Sequence, residues 1–98
     1  MTVVGIDPGT TVTGYGIVAR DGGTRLTLLE CGVVRPTPRA PLAERIREIF
    51  EEMERLLDRF QPCVVSVETV FQGKNAHSAL VLGHARGVIL LAAALRGL

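Results

Sequence analysis

Val3-Val4-Gly5-Ile6-Asp7-Pro8-Gly9-Thr10-Thr11 is an apolar run that ends on a carboxylate and then breaks at a Pro-Gly pair. A buried strand followed at once by Asp and a turn carries that Asp out at the strand's end, where ligands and metals bind. Asp also opens turns with no further role, because its side chain bonds to nearby backbone. A second carboxylate, Glu68, stands in a similar setting sixty-one residues later and favours a site over a simple turn.

Outward from the first strand, residues 2–7, the pattern predicts a second strand over Thr13-Gly14-Tyr15-Gly16-Ile17-Val18-Ala19-Arg20. Asp21-Gly22-Gly23 is a hairpin signal, since Asp and Gly tolerate the positive φ of such turns. A third strand runs from about Arg25 to Val34, so the opening third is an antiparallel three-strand meander. Pro36, Pro38 and Pro41 stiffen the linker after it, and Pro41 suits the first position of a helix. Leu42, Ile46, Ile49, Met53, Leu56 and Phe60 then recur at steps of three and four, one apolar stripe on a helix with a solvated charged face.

Gln61-Pro62 ends that helix. Cys63 to Val67 is read as a fourth strand whose continuous apolar character predicts cover on both faces and a central parallel position. It delivers Glu68. The polar loop Gln72-Gly73-Lys74-Asn75 leads to a second helix over about Ala76–Leu95. From Val88 onward this helix is apolar on every face, which one core does not explain, so further chain or another subunit packs on it.

Ninety-eight residues make one domain, 1–98. A chain of this size buries roughly 65% of its unfolded surface, enough for one core. The composition, 47% apolar and 21% charged, is that of an ordinary globular domain. No signal peptide is read at the start. The longest apolar run, Val88 to Leu95, has eight residues, against the ~20 that span a bilayer. The expectation is a soluble cytoplasmic protein without a membrane partner. Cys31 and Cys63 have no metal-ligand spacing and are expected to be small core residues of a reducing compartment. Net charge is +1, but the first helix carries six acids against four arginines, leaving four acids against seven bases elsewhere. Two of those four are Asp7 and Glu68; with cations on them, the remaining surface is basic.

The order β-β-β-α-β-α with a helical crossover puts strand four parallel to strand one, most simply beside it. Neighbouring strands lie ~4.8 Å apart, so Asp7 and Glu68 emerge together at one end. Two such anions repel and shift one pKa upward unless a cation lies between them. Mg²⁺ takes one or two carboxylates and completes its shell with water and substrate phosphate. The pair suits two-metal phosphodiester hydrolysis, in which ions ~3.5–4 Å apart clamp the attacking and leaving oxygens.

Gly5-Ile6-Asp7-Pro8-Gly9, Thr13-Gly14-Tyr15-Gly16, Val67-Glu68 with Phe71, Lys74-Asn75, and Ser78-Ala79-Leu80-x-Leu82-Gly83-x-Ala85-Arg86-Gly87 together resemble the RuvC family of Holliday-junction resolvases. The resemblance runs over the whole chain in order and spacing, and the block from Asn75 to Gly87 is its most specific part. It implies an α/β, RNase H-like fold with a mixed sheet. It also implies a homodimer through the second helix, about 76–95, that cuts four-way junction DNA with Mg²⁺ or Mn²⁺ beside a branch-migration complex. By position, Asp7 and Glu68 match the first two metal-binding carboxylates and Phe71 the aromatic that stacks on an unpaired base, a contact of ~1–3 kcal/mol. The family's remaining ligands fall beyond Leu98, so the chain resembles the first three-fifths of a resolvase, incomplete at its C-terminus. Val81 and His84 stand where the family often has Lys and Gln.

Lys74 and Asn75 follow Glu68 closely and are read as contacts near the scissile phosphate. Thr10 and Thr11 either hold phosphate or cap the turn, and Thr11 joins Phe71, Lys74 and Asn75 as a DNA-binding candidate. Arg86, the one charge in an apolar stretch, is expected to satisfy a carboxylate or a carbonyl inside the dimer rather than to touch DNA. His77 and His84 have no ligand spacing. Two rival readings stand beside the nuclease. One is a nucleotide-binding domain of the sugar-kinase or Hsp70 type, whose phosphate loop also reads Gly-Ile-Asp-x-Gly-Thr-Thr; the other is a fragment that grips DNA without cutting.

Overall fold

The computed structural model describes residues 1–9, 11–69 and 76–98, with side chains from residue 79 onward in the last stretch. Its elements are β1 (Thr2–Asp7), β2 (Thr13–Arg20), β3 (Leu26–Val34), α1 (Leu42–Phe60), β4 (Val64–Val67) and α2 (Ala76–Ala94). The sheet order is β3-β2-β1-β4. β1 pairs antiparallel with β2, from Thr2 opposite Ala19 to Asp7 opposite Gly14. On its other side β1 pairs parallel with β4, from Val3 opposite Val64 to Ile6 opposite Val67. This is the mixed sheet with an antiparallel meander that the sequence predicts. The β2–β3 ladder slips between Ile17 and Val18, a bulge of the kind that bends a strand and strengthens its twist.

Strand parity sorts the side chains. Val4, Ile6, Ile17 and Val34 are buried on the face covered by the helices, with Ile49, Met53, Leu56 and Leu57 of α1 and Ala85, Ile89 and Ala92 of α2. The α1 stripe is wider than its predicted line, because Leu57 is buried beside Leu56 and Phe50 packs against the same cluster. A helix that meets both a sheet and a second helix needs that extra width. The small residues Ala85 and Ala92 let α2 sit close.

Pro41 caps α1 from outside rather than occupying its first turn. Its backbone is extended, with ψ 149°, and its carbonyl accepts the Arg45 N–H at 3.1 Å. The other end closes on Gln61, in the left-handed region at φ 43°, whose N–H donates to the Leu57 carbonyl at 2.9 Å. Pro62 then bars continuation. Arg96, just past α2, donates to Asp58 at 2.7 Å and to Glu54 at 3.0 Å, tying the helix ends together.

Two expectations are corrected. β4 is the edge strand of the described sheet, and Val64, 43% exposed, and Ser66 lie on its open face. Only Val65 and Val67 face the core. Cys31 and Cys63 are exposed, not core residues. Cys31 lies opposite Gly16, in a row with Gly5 on the uncovered face, while the Cys63 thiol precedes β4 and donates to the Thr2 carbonyl at 3.4 Å. α2 keeps its prediction: Ile89 is fully buried while Leu80, Leu90, Leu91 and Leu95 are exposed, so one core covers only part of it. No helix among the described residues is long and apolar enough to cross a membrane.

Candidate metal centre

Asp7 is the last residue of β1, on the face opposite the buried Val4 and Ile6, and its side chain is exposed. Its cross-strand partner is Gly14, which carries no side chain to cover it. The chain then turns sharply. A Cβ on Gly9 would run into the Val12 carbonyl, so this turn admits only glycine at that position. The Gly9 N–H donates to the Thr13 hydroxyl at 3.4 Å, and Thr13 is the described polar residue buried in the core, 1% exposed. Thr13 thus anchors the turn that follows Asp7.

Glu68 continues β4 by one further step, its N–H donating to the Ile6 carbonyl at 2.9 Å. Parallel register therefore sets it beside Asp7. The two carboxyl groups are within hydrogen-bonding reach, and that hydrogen bond, followed by their mutual repulsion and by desolvation, pushes the Glu68 carboxyl above the usual carboxylate range. A neighbouring carboxylate favours the protonated form of Glu68 until a cation lies between the two.

The two carboxylates stand at one end of an open cleft of about 740 Å³ on the uncovered sheet face. Gly5, Gly14 and Gly16 make its floor shallow, and Cys31, Val33 and Ser66 line it. Tyr15 belongs to the strand beneath the cleft, but its side chain lies on the covered face against the core. Its hydroxyl donates to Glu30 at 2.9 Å, which raises its pKa, and Glu30 pairs with Arg59 of α1 at 2.9 Å. A Cβ on Gly32 would come within 2.7 Å of that hydroxyl, so the brace depends on the glycine.

The donor chemistry fits a hard divalent cation: two carboxylates, open to water, at a strand end. Among the described residues no group of three or more His, Cys, Asp and Glu side chains could hold a metal, so water and phosphate oxygens would complete the shell, as Mg²⁺ tolerates. The structure brings together Asp7 and Glu68. Thr11 is exposed on the adjoining turn. Phe71, Lys74 and Asn75 lie outside the described residues, as do Thr10 and the side chain of His77. His84 is exposed, its Nδ1 at 2.8 Å from the Leu80 carbonyl one turn back. Arg86 donates through Nε to the Glu68 carbonyl at 3.2 Å, a partner within its own chain. The one sequence signal for Thr13 is a hydroxyl that opens a strand four residues after the turn glycine.

A family model described as crossover junction endodeoxyribonuclease RuvC matches residues 3–98. The crossover junction endodeoxyribonuclease RuvC of Pelotomaculum thermopropionicum is 46% identical over 98 residues, covering all of this chain and 59% of the relative. That of Anaeromyxobacter sp. strain K is 52% identical over all of this chain and 52% of its own length. Among solved structures, T. thermophilus RuvC in complex with Holliday junction substrate superposes with a TM-score of 0.90 at 38% identity, covering 100% of this chain and 62% of that one. The chain spans between half and about three-fifths of the length of these proteins.

Proposed function

The chain belongs to the RuvC family and has its RNase H-like mixed sheet; from that premise we propose that it is the part of a Holliday-junction resolvase that carries the first two metal-binding carboxylates. The observation that carries this reading is the parallel β1–β4 register, which sets Asp7 and Glu68 side by side. Their chemistry suits Mg²⁺, with Mn²⁺ as a substitute, at a phosphodiester. A cation held there would supply Lewis-acid polarisation of the phosphoryl group and ease deprotonation of the attacking water. The residues themselves do the rest: Asp7 and Glu68 fix the cation relative to the sheet end, and the glycine floor lets a backbone approach. Thr13 keeps the turn closed behind Asp7.

The proposed substrate is four-way junction DNA, held by Thr11, Phe71, Lys74 and Asn75. The proposed assembly is a homodimer through the outer face of α2, where exposed Leu80, Leu91 and Leu95 await cover, working with a branch-migration complex in the cytoplasm. The nucleotide-binding rival draws no support from a family match that spans 3–98.

Nicking of a synthetic four-way junction in Mg²⁺ tests the proposal. The assay compares this chain with a fusion to the remaining C-terminal part of the Pelotomaculum thermopropionicum relative. Junction-selective cleavage by the fusion, abolished by Asp7→Asn or Glu68→Gln with binding retained, is expected. Cleavage that survives both substitutions would contradict the assignment.

A further inference from the structure

Arg86 lies in the middle of α2, next to Ala85, which is 4% exposed, and one turn before the fully buried Ile89. The core therefore fixes its Cα firmly. From there the side chain reaches the end of β4, and its Nε–H donates to the Glu68 carbonyl at 3.2 Å. The Glu68 N–H is held as well, by Ile6 of β1. Both peptide groups that flank the Glu68 α-carbon are thus tethered, one to the sheet and one to a helix. Each peptide is a rigid plane, so the direction of the Cα–Cβ bond follows from the pair. The β1–β4 ladder stops at Val67, and past that point Arg86 supplies the second tether.

We infer that Arg86 is a positioning residue of the metal centre, which aims the Glu68 carboxylate at Asp7 by holding the Glu68 carbonyl from α2. The inference rests on reading Asp7 and Glu68 as the cation-holding pair. It separates two jobs for a positive charge near a nuclease site. An arginine that grips phosphate acts on DNA and leaves the protein's own affinity for metal alone. One that holds a ligand's backbone changes that affinity before any DNA is present. Removing an outer partner that orients a metal ligand typically lowers affinity by ~10–100-fold. A single bond to a backbone carbonyl falls at the lower end, about tenfold.

The test is Mn²⁺ binding by this chain without DNA, followed by loss of the free-ion EPR signal, with thermal melts alongside. Arg86→Met keeps the packing stem and removes the donor; its dissociation constant should rise about tenfold with little change in melting temperature. Arg86→Lys retains an N–H donor for a single bond and should stay within about threefold of wild type. Asp7→Asn reports on the underlying reading. If it binds Mn²⁺ as wild type does, or if wild type binds none, the pair is not the cation site and the reading itself fails. If Asp7→Asn loses binding while Arg86→Met binds like wild type, only the role of Arg86 is overturned; a junction affinity that falls in that variant would then assign the residue to phosphate. Should Arg86→Met fail to fold, Arg86→Leu takes its place: a folded variant that binds Mn²⁺ about tenfold more weakly supports the tether, and one that binds as wild type does overturns it.

Discussion

Replacing Thr13 by Val keeps the shape of a side chain that is 1% exposed and deletes the oxygen that accepts the Gly9 N–H at 3.4 Å. That bond is longer than the usual 2.9–3.0 Å, so its net contribution lies near the low end of ~0.5–1.5 kcal/mol. The orphaned N–H adds to the loss, but Gly9 is only half-buried and water can reach it. The total is about 1 kcal/mol, or a fall of ~4–8 °C in Tm for a domain of this size. Thr13→Ser makes the comparison. It keeps the hydroxyl and deletes one buried methyl group, which also costs about 1 kcal/mol. The two variants should therefore melt together and differ at the turn. Hydrogen exchange at the Gly9 amide should quicken about fivefold in Thr13→Val, the rate equivalent of that energy, and stay near wild type in Thr13→Ser. Equal exchange in both variants, or a Thr13→Val protein as stable as wild type, would refute the claim that this hydroxyl anchors the turn behind Asp7.

The Glu68 carboxyl is raised by Asp7, so without metal the folded chain holds a proton that the unfolded chain has released. The Glu68 contribution to stability is then fully present below the ordinary Glu value of ~4.3 and is lost as pH rises through the raised pKa; urea titrations of wild type against Asp7→Asn should differ by that decline across the window. Mn²⁺ affinity should run the other way, rising over the same interval as the proton leaves. In α2, Ile89→Ala empties a fully buried position and should cost ~2–5 kcal/mol in chemical denaturation. Leu90→Ala, at a residue 42% exposed, should stay within about 1 kcal/mol for the monomer, since surface changes are small. The proposed dimer predicts that Leu91→Asp, on the exposed face, shifts sedimentation towards the monomer.

The meander, the crossover and the carboxylate pair were legible because each follows from local rules. Asp21-Gly22-Gly23 needs a hairpin, the α1 stripe needs a core, and a helix between two strands needs them parallel. The faces of the sheet were harder. Cys31-Gly32-Val33-Val34 is apolar at every position, so its composition hides the period of two that buries Val34 and exposes Cys31 and Val33. The same holds for β4, where Val64 and Val65 are chemically alike and point to opposite faces. Thr13 and Arg86 act through backbone groups of residues across a turn or far off in sequence, and no side-chain pattern announces a peptide N–H or carbonyl. Asp7 and Glu68 were visible because a carboxylate after an apolar strand contradicts its surroundings.

Anomalous diffraction from crystals of this chain soaked in Mn²⁺ addresses the central claim most directly. A peak bound by oxygens of both Asp7 and Glu68, at the ~2.0–2.2 Å typical of small divalent ions, is the result expected. A protein that takes up Mn²⁺ elsewhere, or whose two carboxylates point away from one another in the soaked crystal, would contradict it.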